Sequence, residues 1–145
     1  MGDPQGPVTV TVGDWATQCE QATAIRMAVF VREQQLPEAD EIDAFDSLSL
    51  HALALDSGRA VGTARLLPDA RIGRMSVLPD WRRSGVGGLL LERLVAIAAA
   101  RGDLIVELSA QVYVLAFYAR HGFEAFGPIY DDAGIAHQSM RRRLS

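Results

Sequence analysis

The chain has 145 residues, 49% hydrophobic and 22% charged, which is enough for one core and too few for two, so a single domain over 8–145 behind a flexible leader, 1–7, is expected. All 14 basic residues are arginine, which excludes a Walker-type phosphate loop because that loop needs a lysine at the terminal phosphates. A single cysteine, Cys19, excludes an internal disulfide framework, the three histidines have no paired spacing for a metal, and the absence of a basic leader or long apolar run makes cytoplasm the default, with no signal peptide and no membrane span.

The charge is uneven. Residues 1–56 carry 10 acids against Arg26 and Arg32, whereas residues 57–145 carry 12 arginines against 8 acids. This predicts an anionic ligand for the second half and a cationic one for the first.

Taken in order, Val8, Val10 and Val12 alternate with threonines as a strand does, and Asp14 can cap a helix running to about Val31 with Ala22, Ile25, Ala28 and Val29 on one face. Leu36-Pro37 breaks that helix, and six acids crowd between Glu33 and Asp46. Leu48–Leu55 and Ala60–Leu67 read as a hairpin about Asp56-Ser57-Gly58, followed by a third strand, Ala70–Leu78. A helix Val86–Arg101 stops at Gly102, Leu104–Leu108 is a buried strand, and Val112–His121 is a helix ended by Gly122. Strands near Phe123–Phe126 and Ala136–Arg142 complete the chain. Strands and helices do not alternate strictly, which predicts an α+β fold with a mixed sheet and not a doubly wound parallel one.

The stretch VLPDWRRSGVGG, 77–88, sets two arginines and three glycines between a strand and a helix. Backbone N–H groups of a first helical turn have no internal partners, and aligned peptide dipoles add roughly half a positive charge there. Glycines let that backbone approach phosphate oxygens closely while Arg82 and Arg83 supply charge, so an anion site is expected. A dinucleotide fingerprint would need glycine at position 90, where this chain has Leu90, which demotes a Rossmann reading.

Val77-Leu78-Pro79-Asp80-Trp81-Arg82-Arg83-Ser84-Gly85-Val86-Gly87 resembles the acyl-CoA signature of the GCN5-related N-acetyltransferases, Val-x-Pro-x-x-Arg/Gln-x-x-Gly-x-Gly/Ala. The segment from Leu108 to Phe123, with Gln111 and Phe117-Tyr118 ahead of Gly122-Phe123, resembles a second motif of that family. The runs Val29–Pro37, Gly62–Leu66 and Asp131–His137, with His51, are similar to a small bacterial subgroup called ElaA-like or YjcF-like, so the resemblance spans roughly 8–143 in consistent order.

The resemblance implies the GNAT fold, a splayed, mostly antiparallel sheet flanked by helices, and direct transfer of an acetyl group from acetyl-CoA to an acceptor amine, with no metal. It implies that pantetheine lies along Met75, Ser76 and Val77, near Gln111, Phe117 and Tyr118. The pyrophosphate would rest on the amides of Arg83, Ser84, Gly85, Val86, Gly87 and Gly88, with Arg82 nearby. Tyr118 would protonate the leaving thiolate, Tyr113 is the reserve, and the Val77 N–H would hold the oxyanion. The base is open among Glu33, Asp43, His51, His137 and water, and the acidic loop Glu38–Asp43 would admit and select the acceptor, a small-molecule amine. A homodimer is a further expectation. The alternative is a sensor module that binds CoA or another nucleotide without transferring anything. Nucleic-acid binding through Arg141-Arg142-Arg143 is not expected in an acidic protein, where an edge strand explains the triplet.

Overall fold

The computed structural model describes residues 8–36 and 42–144. Strand β1 (Val8–Gly13) leads into helix α1 (Trp15–Arg26), whose first turn is capped by Asp14 accepting from the Thr17 N–H at 2.9 Å. The expected helix to Val31 changes winding at its end: Met27–Glu33 is a π-helical segment, with Gln34 N donating to the Val29 carbonyl at 3.0 Å and Leu36 N to that of Phe30 at 2.8 Å. Such segments are rare and turn side chains off the α-helical phase.

Strands β2 (Leu50–Asp56) and β3 (Arg59–Leu66) form the expected hairpin, and Ser57 and Gly58, at φ 52° and 84°, make the two-residue loop whose twist matches its strands. With β4 (Ile72–Val77) they build an antiparallel sheet in the order β1-β2-β3-β4. This sheet is covered on both faces. Alternation along β2 sends Ala52 and Ala54 toward helix α2 (Val86–Ala100) and Leu53 toward Ala22 and Ile25 of α1. α2 lies so close that a Cβ on Gly62 would stand 3.0 Å from Val86 Cγ1 and 3.1 Å from Leu90 Cδ1.

The second sheet, ordered β5-β7-β6, contains β5 (Ile105–Gln111), β6 (Glu124–Asp132) and β7 (Ile135–Arg143), again antiparallel. All three run longer than the sequence suggests. Between β5 and β6 the expected helix at 112–121 begins as a single 3-10 turn, Val112–Val114, before the short α3 (Leu115–Arg120). The two sheets touch through one parallel bridge, Arg71 to Glu107, where Glu107 N donates to the Ala70 carbonyl at 3.1 Å. Beyond that bridge β4 and β5 have no ladder between them, so the sheet opens into a V, as the fold expectation required.

Candidate active site

The V is a cleft of about 1220 Å³ that runs between β4 and β5 to the start of α2. Its β4 wall is irregular. Ser76 pairs with Thr63 and Gly73 with Arg65, so Arg74 and Met75 together oppose one residue of β3, and Arg74 takes φ 50°. Ser76 is buried and spends its hydroxyl on the Arg74 carbonyl at 3.3 Å. Leu78 N donates to the Val61 carbonyl at 2.9 Å, so alternation turns both polar groups of Val77 away from β3 and into the opening. The Val77 carbonyl accepts from Arg82 Nε at 2.9 Å, which leaves the N–H facing the cleft.

The loop after β4 is anchored by Trp81, 4% exposed, whose indole N–H donates to Asp56 at 2.7 Å, and Ser84 bonds the Trp81 carbonyl. Arg83 and Gly85 adopt φ 63° and 89°. Gly85 is the N-cap of α2 and gives no side-chain cap, so the first-turn amides are unanswered by the chain. A Cβ on Gly87 would stand 3.3 Å from Phe117 Cζ, and one on Gly88 would stand 3.2 Å from the His121 ring. The two glycines therefore let α3 lean against this turn. An uncapped helix start, a left-handed lead-in and positions that a side chain would crowd fit the diphosphate of an acyl-CoA. The open edge of β4 fits its pantetheine amides.

Tyr118 lies on the far wall. Its hydroxyl stands 3.8 Å from Met75 Sδ, and burial, aided by Tyr113, pushes its pKa up to about 12. Tyr113 is 73% exposed on the rim. Val86, expected in the cofactor loop, turns its side chain into the core and does not line the cleft.

The basic candidates are dispersed. Glu33 lines the cleft, but its two oxygens accept from Arg82 at 2.6 and 2.7 Å, and that fork holds its carboxyl below the usual carboxylate range. Asp43 accepts from Arg65 at 2.7 and 3.0 Å and from Arg74 at 3.1 Å, and the Arg65 fork takes its pKa far down. Both are weak proton acceptors. His51 is buried within the sheet, outside the cleft, with Nε2 2.9 Å from the Asp46 carbonyl, and burial holds its pKa down. His137 does line the cleft, with Nδ1 bonded to the Ile135 carbonyl at 2.8 Å and its ring stacked on Tyr130. Residues 38–41 of the acidic loop lie outside the described residues.

Three features escaped the sequence. Asp46, 1% exposed, joins Arg26 at 2.9 and 3.0 Å and Arg65 at 2.9 Å, so two of the acids read as facing a cation, Asp43 and Asp46, are counter-charges for the chain's own arginines. The consecutive residues Glu33 and Gln34 reach opposite walls, Glu33 to Arg82 and Gln34 to Gln111 Nε2 at 3.2 Å. His121, four residues after Phe117 and the C-cap of α3, sits against Gly88 and bonds Glu92 at 2.7 Å. The i, i+4 spacing before Gly122 was the available signal for it.

The family description "Acetyltransferase (GNAT) domain" matches residues 17–144. Among curated proteins, an uncharacterized N-acetyltransferase YjcF of Bacillus subtilis is 34% identical over 129 residues, covering 86% of this chain and 92% of that one. Among solved structures, an acyl-CoA N-acyltransferase from Pseudomonas aeruginosa aligns at 31% identity and TM-score 0.84, over 94% of this chain and 99% of its own. Escherichia coli ElaA aligns at 27% identity and TM-score 0.84, over 94% and 100%.

Proposed function

The chain belongs to the GNAT acetyltransferase family and is an acyl-CoA-dependent N-acetyltransferase, and from that premise we propose how its cleft carries out the transfer. Acetyl-CoA, as the acyl donor, supplies an acetyl group activated as a thioester. The amides of residues 83–88 bind the diphosphate, and the freed edge of β4 at Met75 and Val77 orients the chain that leads to the thioester. The Val77 N–H, turned into the opening, is the donor for oxygen charge at the reacting carbonyl.

Tyr118 rests protonated at Oη near neutral pH, because burial raises its pKa to about 12. Donation to a departing thiolate, whose parent thiol has a pKa near ~8.5, is then uphill by roughly 4–5 kcal/mol. The transfer is coupled to recovery of a proton from the acceptor nitrogen, which must lose one on becoming an amide. Net proton movement is from nitrogen to sulfur, with the phenol as relay. A neutral amine needs no carboxylate base, in keeping with the pairing of Glu33 and Asp43 to arginines. The acceptor we propose is a small-molecule amine entering between the π-helical segment and the β6–β7 hairpin. A homodimer would use the exposed outer strand β6.

The observation that carries this reading is the opening of β4 from β5 beside an uncapped helix start. It is tested by calorimetric titration with acetyl-CoA, CoA and NAD in parallel, followed by an amine panel read by free thiol. Micromolar binding of acetyl-CoA with thiol release on an amine is expected. Binding of NAD alone contradicts the cradle, and tight acetyl-CoA binding without release on any amine returns the chain to a sensor.

A further inference from the structure

Six arginines line the cleft among the described residues: Arg65, Arg71, Arg74, Arg82, Arg83 and Arg120. Four of them are answered by carboxylates. Arg65 and Arg74 meet Asp43, Arg71 meets Asp69, and Arg82 meets Glu33. Arg83 and Arg120 are exposed, and neither makes an ion pair with any of the described acids.

Their placement is not symmetric along the cleft. Arg83 precedes the Gly85 N-cap of α2 by two residues, and its φ of 63° turns the chain there. Arg120 is the last residue of α3, next to His121, whose ring stands 3.2 Å from the position of a Gly88 Cβ. That ring is fixed by Glu92 at 2.7 Å, and Arg142 donates to the His121 carbonyl at 3.0 Å, which ties this end of α3 to β7. Two arginines that pair with no described acid thus line the cleft beside the helix turn proposed for the diphosphate, one in the lead-in to α2 and one at the end of α3, next to the His121 ring that sits against Gly88.

The first-turn amides answer the diphosphate with backbone donors, and a guanidinium is not required for it. A phosphomonoester is a separate charge of about −1.5 to −2 near pH 7 with three acceptor oxygens, and it is the group for which forked cationic donors are best suited. Resting on the acyl-CoA reading above, we propose that the Arg83 and Arg120 side chains form a phosphomonoester subsite for the 3′-phosphate of the cofactor's ribose, so that this enzyme selects CoA over 3′-dephospho-CoA. The backbone of Arg83 serves the diphosphate and its side chain serves the third phosphate.

Titration calorimetry with CoA and 3′-dephospho-CoA tests this on the full chain, because both ligands carry the diphosphate and only one carries the monoester. The expected result is a preference for CoA of about tenfold at low salt, diminishing as KCl rises above ~0.1 M, where charges beyond ~10 Å are screened. An Arg83→Gln, Arg120→Gln double variant should still bind dephospho-CoA and should lose the preference. Equal affinity of the unmodified protein for the two ligands overturns the subsite. So does a preference that survives in the double variant. Binding of neither ligand overturns the acyl-CoA reading itself, which separates the two failures.

Discussion

Arg26 and Asp46 meet through hydrogen bonds of 2.9 and 3.0 Å with both side chains 1% exposed, whereas Arg82 and Glu33 meet through bonds of 2.7 and 2.6 Å with side chains 39% and 40% exposed. The forks are alike in geometry and differ in surroundings. In the buried one, burial pushes the Asp46 carboxyl up, but the bonds and charge of Arg26 and then Arg65 push it further down, so it stays ionised with no water to replace either partner. In the exposed one, solvent or a ligand phosphate can take the place of Glu33. The first fork fixes how α1 and the loop before β2 sit on the sheet. The second is an exchangeable pair lining the cleft proposed for the cofactor.

Removing one partner of the buried fork should have the largest effect. Asp46→Asn leaves Arg26 without its fork and Arg65 with one carboxylate fewer, and a loss of about 3–5 kcal/mol in unfolding free energy is expected in urea titrations. The pH dependence has a definite sign. The Asp43 and Asp46 pKa values are lowered on folding, so their contribution is complete above the ordinary carboxylate range and is lost as pH falls through the depressed values. The stability gap between the parent protein and Asp46→Asn should therefore narrow below about pH 4. A gap that is constant from neutral pH down to acid denaturation would show that the fork contributes packing and not charge.

Next comes Tyr118→Phe, which keeps the ring and deletes the proposed proton relay. Turnover should fall on the order of 100-fold with CoA affinity retained, and unchanged turnover would remove Tyr118 from the chemistry. Gly87→Leu pushes a side chain at Phe117 and into the cradle, and acetyl-CoA affinity should drop about tenfold, equivalent to ~1.4 kcal/mol. The smallest effect is expected at the exposed fork. Glu33→Gln removes the carboxylate that competes for Arg82 and should tighten CoA binding by about two- to fivefold, in the range of exposed ion pairs. A collapse of kcat in that variant would instead make Glu33 the base.

The same contrast explains what the sequence disclosed. The cap at Asp14, the hairpin about Ser57-Gly58 and the glycine turn at 85–88 depend on neighbours within a few residues, so their spacing is readable. Arg26 and Asp46 are 20 residues apart, and nothing local says that a helix interior will present an arginine to a later acid. The acids between Glu33 and Asp46 therefore read as a cluster facing a cationic ligand, although the structure pairs Glu33, Asp43 and Asp46 with arginines. The full length of β6 was missed for another reason. It is exposed along nearly its whole length, so it carries no apolar alternation, and its pairing with β7 alone makes it a strand. Windows of seven residues also do not separate π from α winding, so the stretch up to about Val31 reads as ordinary helix where the structure has the π segment Met27–Glu33.

That winding sets an angle. Each residue of an α-helix advances about 100°, and the π segment contributes more residues per turn, so the side chains after it emerge rotated relative to α1. Glu33 and Gln34 leave this segment in the directions that meet Arg82 on one side of the V and Gln111 on the other. Two adjacent residues thus gauge the width of the cleft. Shortening 27–32 by a single residue, which would restore α-helical phase, would swing both side chains off their walls together.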